Sequence, residues 1–260
     1  MYTFLSIIFL IQSFALETTI QKTCRDFAVD ELGNVYFIQN NSIEKQNAQG
    51  TNTFRTSELN YGTIENLDIT NPLKPFIYYK GINKIVVLDN TLSHQGDAVD
   101  LFAYEYDQVE LVAGSRGDAY WMWDTRNSEL IRVDRNFKKL SSSGNLSVLL
   151  SKELHPSQIL ERGNSLYLRD TLNGVFVFDI YANYKTVLPI KSQNDIQVVN
   201  NTLIYHSDKQ IFFLKDDWIS EETLDLPVVC NKRIQFFNQK LYIQTDDSIQ
   251  LWKKTETTRN

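Results

Sequence analysis

A short apolar pair recurs six times along this 260-residue chain: Val35-Tyr36, Ile77-Tyr78, Ala119-Tyr120, Leu166-Tyr167, Leu203-Ile204 and Leu241-Tyr242. The second members lie 42, 42, 47, 37 and 38 residues apart, and five of the six are tyrosine. Self-similarity at such a period marks an architecture of stacked or radially arranged units. Each pair is followed by a polar turn and then a second alternating segment, at 42–45, 84–89, 130–134, 175–179, 211–215 and 249–253. Runs this short, bounded by Asn, Asp, Gly and Ser, read as strands and are too brief for helices of ordinary length.

The first unit resolves into four strands. An inner strand is expected at 26–29, a second at 34–38, a third at 42–45 and an outer one near 53–56. Four antiparallel strands per repeat make a propeller blade. A lone blade has two open edges and two apolar faces, and radial packing hides each face against a neighbour. The chain therefore reads as all-β: a six-bladed β-propeller of four-stranded antiparallel blades. The last repeat lacks a clear fourth strand. The β-branched segment 17–23 is expected to supply it and so join the two ends of the chain. A five- or seven-bladed propeller is the runner-up, and a β-sandwich fits six similar units less well.

Residues 1–15 form an apolar run that is too short to span a bilayer. The run ends in Ser13-Phe14-Ala15, a small-x-small site, and reads as a signal peptide cut after Ala15, although no Lys or Arg precedes it. Residues 16–260 then form a single propeller domain in an exported compartment, periplasmic, outer-membrane-associated or secreted. The alternative is a buried first strand of the mature domain. The net charge of −6 and the absence of a basic stripe argue against nucleic acid as a partner. No segment of the mature chain is apolar enough to be transmembrane.

Cys24 and Cys230 each lie twelve residues before the motif tyrosine of repeats one and six. A propeller places those repeats side by side, and an exported compartment permits a disulfide, which would be worth roughly 4–5 kcal/mol by loop entropy. Two buried free thiols are the alternative.

The punctuation Gly33-Asn34-Val35-Tyr36, followed by strands ending in Asp, resembles the NHL, YWTD and TolB-like six-bladed propellers. The segments 67–73, 87–92 and 177–181 resemble a small exported propeller family of Bacteroidota cell envelopes. That resemblance covers nearly the whole mature chain and implies a fold and a compartment more than a chemistry. The tetrapeptide of YWTD receptor propellers is absent, since Tyr120-Trp121-Met122-Trp123-Asp124 only approximates it.

Catalytic signatures are missing. His94, His155 and His206 fall in different repeats without zinc-ligand spacing. Gly114-Ser115-Arg116-Gly117 lacks the nucleophile-elbow pattern and reads as a turn. The acidic pairs at 216–217, 221–222 and 246–247 read as solvated turns or strand surface. No cofactor motif is present.

One local repeat stands out. Asp124-Thr125-Arg126-Asn127 and Asp170-Thr171-Leu172-Asn173 share Asp-Thr-x-Asn after equivalent strands, which is first of all a side-chain-to-backbone turn. Its functional reading is a partner-binding rim made of Asp124, Arg126, Arg169 and Asp170, with Tyr104 and Tyr106 from the preceding inter-blade connection. The expected function is a non-enzymatic protein-binding or scaffold module of the cell envelope, monomeric outside an outer-membrane or secretion-associated assembly. The alternatives are a metal-dependent hydrolase or lyase at the channel mouth, and a small-ligand or glycan sensor.

Overall fold

The computed structural model describes residues 9–192 and 194–259. Strand β1 (Phe9–Gln21) leads into blade one: β2 (Asp26–Val29), β3 (Val35–Ile38), β4 (Ser42–Gln46) and β5 (Thr53–Ser57). Blade two is β6 (Asn66–Asp68), β7 (Phe76–Tyr79), β8 (Lys84–Val87) and β9 (Val99–Asp100). Blade three is β10 (Val109–Ser115), β11 (Ala119–Asp124), β12 (Glu129–Val133) and β13 (Lys139–Ser142). Helix α1 (Leu146–Leu150) precedes blade four: β14 (Pro156–Arg162), β15 (Ser165–Asp170), β16 (Gly174–Asp179) and β17 (Tyr184–Leu188). Blade five is β18 (Gln197–Val199), β19 (Thr202–His206), β20 (Gln210–Leu214) and β21 (Glu221–Asp225). Blade six is β22 (Ile234–Phe237), β23 (Lys240–Gln244) and β24 (Ser248–Arg259). Strand β1 gives blade six its fourth strand by antiparallel pairing with β24. The fold is the six-bladed β-propeller expected from the repeat, with the N-terminal segment in the expected outer place.

Burial explains the composition of the strands. The second strands are apolar on both sides: Val35–Ile38 and Phe76–Tyr79 are buried at every residue. The outer strands β5 and β21 alternate between exposed and half-buried residues. Hence the sequence reads continuous at the repeated Tyr pairs and alternating elsewhere. Four of the motif tyrosines are at most 5% exposed and Tyr120 is 8% exposed. Their hydroxyls find partners, as buried phenols must: Tyr36 donates to Asp30 Oδ2 at 3.0 Å. Burial, with the adjacent Asp30 carboxylate, pushes the Tyr36 phenol far above its ordinary pKa.

A compact turn closes the third-to-fourth-strand hairpins. Asp89, Asp134 and Asp179 each accept backbone N–H groups two and four residues on with Oδ1. The residue three positions after each Asp takes a left-handed conformation: Leu92, Phe137 and Ala182, at φ of 64°, 63° and 70°. Each of these side chains is buried. The strand-terminal Asp of the sequence repeat is thus a turn former that drives an apolar plug inward.

The chain divides into two compact units. Within residues 24–196, which hold blades one to four, apolar clusters straddle successive blades. One joins Tyr36 and Ile43 to Ile77 and Val86, the next joins Phe76 and Tyr78 to Tyr120 and Met122, and the third joins Trp121 and Trp123 to Leu168 and Phe176. Polar bonds tie the inner strands. Asn66 Nδ2 donates to Val112 O at 2.7 Å and Gly114 N donates to Asp68 Oδ2 at 2.7 Å. Buried Glu161 accepts from Ser115 Oγ at 2.5 Å, Trp121 Nε1 at 2.6 Å and Arg116 Nε at 2.9 Å. Burial by itself would raise the Glu161 carboxyl, but these hydrogen bonds outweigh it and hold the group below its ordinary pKa. Of the stretch 114–117, read from the sequence as a turn, Gly114 and Ser115 end β10 and only Arg116 and Gly117 lie in the turn to β11, while Ser115 serves as a clasp to the next blade.

The second unit holds blades five and six. Gln197 Nε2 donates to Ile234 O and Gln197 Oε1 accepts from Phe236 N, both at 2.9 Å. Gln158 makes the same two-way bond to Ile196 in the first unit. Phe14 and Trp252 pack against a cluster of Ile204, Phe213, Leu241 and Ile243. Cys230 is a buried thiol whose Sγ lies 3.5 Å from Lys232 O, and burial pushes its pKa up. Cys24, at the start of the 24–196 unit, is half-buried.

At the tightest turn, Gly174 has φ of 107°, and a Cβ there would stand 2.3 Å from Leu188 O. Gly174→Ala is expected to destabilise the protein by about 3 kcal/mol or more, read as a fall in denaturant midpoint. A change below about 0.5 kcal/mol would show that the turn relaxes freely.

Candidate functional site

In an antiparallel blade, the connections between strands one and two and between three and four lie at one end. Those between two and three, and between blades, lie at the other. Residues 24–196 place all the rim residues expected from the sequence on connections of the second kind, or on strands that lead into them. Leu101 N donates to Asn83 O, Leu146 N to Ser128 O and Ile64 N to Asn40 O, so each inter-blade connection is pinned to a second-to-third-strand turn.

Both Asp-Thr-x-Asn segments form side-chain turns at this end. Asp124 Oδ1 accepts from Arg126 N at 2.9 Å, and Asp124 Oδ2 accepts from Asn127 Nδ2 at 2.7 Å. Asp170 Oδ1 accepts from Leu172 N and Asn173 N, both at 2.9 Å. The second turn does more, because Asp170 Oδ2 accepts from His155 N at 2.6 Å and Asn173 Nδ2 donates to Glu153 O at 3.0 Å. It fixes the segment that leads into the inner strand of blade four.

The rim residues divide by environment. Arg126 is exposed and pairs with Asp107 at 2.7 Å, a surface bridge worth about 0–1 kcal/mol. Arg169 is 4% exposed and bonds Ser192 O and Asp195 Oδ1, each at 3.0 Å, so it braces the 189–196 connection from inside. Tyr106 Oη donates to Phe137 O at 3.2 Å, and the Tyr104 ring lies 5.0 Å from that of Phe137. Tyr106 is thereby part of the packing between blades two and three, while Tyr104 keeps an exposed edge.

Two features at this end were not legible in the sequence. The first is α1. Asn145 caps it by accepting from Val148 N at 2.9 Å, and Leu146 anchors it in the core. Its outer face presents Val148 at 76% and Leu149 at 59% exposure, and Leu172, on the turn that holds Glu153, is 64% exposed at the same end. The second is a bowl of about 420 Å³ at the starts of β6, β10 and β14, lined in part by Glu65, Tyr78, Lys80, Glu110, His155 and Ser157. Lys80 Nζ sits 2.5 Å from Glu110 Oε1, and His155 Nε2 lies 3.2 Å from Glu153 Oε1. A small-residue turn and scattered single charges gave no signal for either feature. Among the described residues, no group of three or more His, Cys, Asp or Glu side chains converges as metal ligands.

No family profile and no curated protein sequence matches the chain. By fold it is similar to a catalytically inactive virginiamycin B lyase from Staphylococcus aureus with quinupristin, at 13% identity and a TM-score of 0.61, over 94% of this chain and 99% of that one. It is also similar to a gluconolactonase from Xanthomonas campestris, at 11% identity and 0.63, over 91% and 88%. BamB from Moraxella catarrhalis is similar at 10% identity and 0.51, over 87% and 81%. At these identities the likeness is one of fold, and the fold hosts lyase, lactonase and other proteins alike.

Asp170 is fully buried, and although burial by itself would raise its carboxyl, the hydrogen bonds from Asn173, His155 and Leu172 hold it below the ordinary value. A depressed folded pKa contributes stability above the unfolded carboxylate range, near 3.9, that is lost as pH falls through the folded value. Asp170→Ala is expected to lower stability by about 2–4 kcal/mol at neutral pH and by less in acid. Unfolding curves at neutral pH and in acid check this, and an equal loss at both would contradict it.

Proposed function

We propose that this protein is a non-enzymatic protein-binding module of the cell envelope, docking a partner on the end that carries the inter-blade connections. One observation carries the reading. Helix α1 is anchored by Leu146 yet turns Val148 and Leu149 to solvent, at the end that also carries exposed Leu172. A helix inserted in a connection and exposing neighbouring large aliphatic side chains costs solubility without aiding the core, and such patches mark interaction sites. Exposed Tyr104 and the Arg126–Asp107 pair lie on connections at the same end, as a polar and aromatic margin would.

Export is part of the proposal. The leader reading of residues 1–15 supports it, and residues 1–8 lie outside the described residues. Strand β1 begins at Phe9 and runs through the expected cut after Ala15. Cleavage there would leave 16–21 paired with 248–252, which still completes blade six. No helix among the described residues is long and apolar enough to cross a membrane. The resemblance to Bacteroidota envelope propellers belongs to the same reading, whereas the expected Cys24–Cys230 disulfide is not formed in this structure, where both side chains are thiols.

A second reading, an enzyme at the channel mouth, is favoured by the bowl, where His155 and Glu153 stand beside the Lys80–Glu110 pair. Its metal-dependent form lacks a converged ligand set among the described residues.

The triple variant Val148→Ser, Leu149→Ser, Leu172→Ser is expected to keep its melting temperature within a few degrees, because the side chains are exposed. It should lose the partner recovered by crosslinking from envelope extracts, whereas Leu73→Ser with Tyr181→Ser, exposed at the opposite end, should retain it. Equal recovery by both variants would overturn the docking face. A mature amino terminus at Leu16, read by mass spectrometry, is the expected result for export, and an intact Met1 would contradict it.

A further inference from the structure

The bowl contains one charge that no protein group among the described residues pairs with. Lys80 and Glu110 neutralise each other at 2.5 Å, and His155 faces Glu153. Glu65 is exposed, and among the described residues its carboxylate has no ion pair and accepts no hydrogen bond from the protein, and it stands at the edge of the same cavity. Tyr78, Leu111 and Pro156 supply an apolar floor, with the Tyr78 hydroxyl already engaged by Val109 O and Asn83 Oδ1, each at 2.9 Å. A volume of about 420 Å³ lies in the range of small-molecule sites and is too small for a folded domain.

We propose that this bowl binds a ligand through an ammonium or guanidinium group, with Glu65 as the principal acceptor, Glu110 as the second, and the apolar floor under the ligand's aliphatic stem. Three carboxylates in and around the cavity against one lysine disfavour anions. The polar wall disfavours a purely apolar ligand. Charge-assisted hydrogen bonds between a cation and a carboxylate are about twice as strong as neutral ones. The cation has two possible sources, a free small amine or a Lys or Arg side chain of a bound protein. The inference rests on the bowl alone and holds whether or not α1 docks a partner.

Ligand-observed NMR titration tests it with two matched pairs. Nα-acetyl-L-lysine methyl ester is compared with Nα-acetyl-L-norleucine methyl ester, and D-glucosamine with N-acetyl-D-glucosamine. At least one cationic member is expected to bind about tenfold or more tighter than its neutral counterpart at low salt, with the advantage shrinking as salt is raised. Glu65→Gln should remove most of that advantage without moving the melting temperature. Lys80→Gln, which frees Glu110, should increase it. Preference for the lysine ester would identify a partner's side chain as the source, and preference for glucosamine a free ligand. No binding by either cation at about 10 mM would overturn the proposal, as would equal binding of neutral and cationic members or indifference to both substitutions.

Discussion

The pairing of β1 with β24 is the contact on which this fold depends. Twelve residue pairs join the two ends of the sequence, from Phe9↔Arg259 to Gln21↔Ser248. The repeat supplies blade six with only three strands, and a three-stranded sheet ending in β24 would present an open row of backbone donors and acceptors. Strand β1 closes that edge and brings Phe14 onto the core beside Trp252. The residues that meet lie more than two hundred positions apart, so the pairing carries a large loop-closure cost.

Within residues 24–196 successive blades bury their faces against one another, and the two ends of the blades are free to differ. One end is closed by short turns in which an aspartate directs a left-handed residue such as Leu92 or Phe137 inward. These turns are repetitive because their task is packing. The other end carries connections of unequal length, three of them with one-turn 3-10 helices and one with α1 among the described residues. Variation there leaves the sheets intact, which is why binding groups collect on such loops. The bowl and the exposed face of α1 both arise from these connections. Asp170 links them structurally, since its carboxylate holds both its own turn and the His155 backbone.

The parts of this architecture that follow from periodicity were legible in the sequence. The Tyr pairs fall on strands buried on both sides, the alternating runs fall on the next strand, and β-branched residues 17–21 form the closing strand. What escaped the sequence depends on side-chain direction. Arg126 and Arg169 look alike beside their Asp-Thr turns, yet Arg169 precedes its turn within β15 and points inward to Ser192 and Asp195. Tyr106 reads as a rim residue but reaches Phe137 O of the next blade. The Glu161 clasp and the two-way bonds of Gln158 and Gln197 join residues about 40 positions apart, with no local motif to reveal them. The Lys80–Glu110 pair was hidden for the same reason.

Hydrogen exchange on two forms of the chain, one beginning at Leu16 and one at Lys22, measures the end-to-end pairing directly. The account predicts that the longer form protects the amides of 249–252 as strongly as those of β23. It predicts that the shorter form loses that protection together with cooperative unfolding of the remaining sheets. Equal protection and equal melting temperatures in the two forms would contradict it.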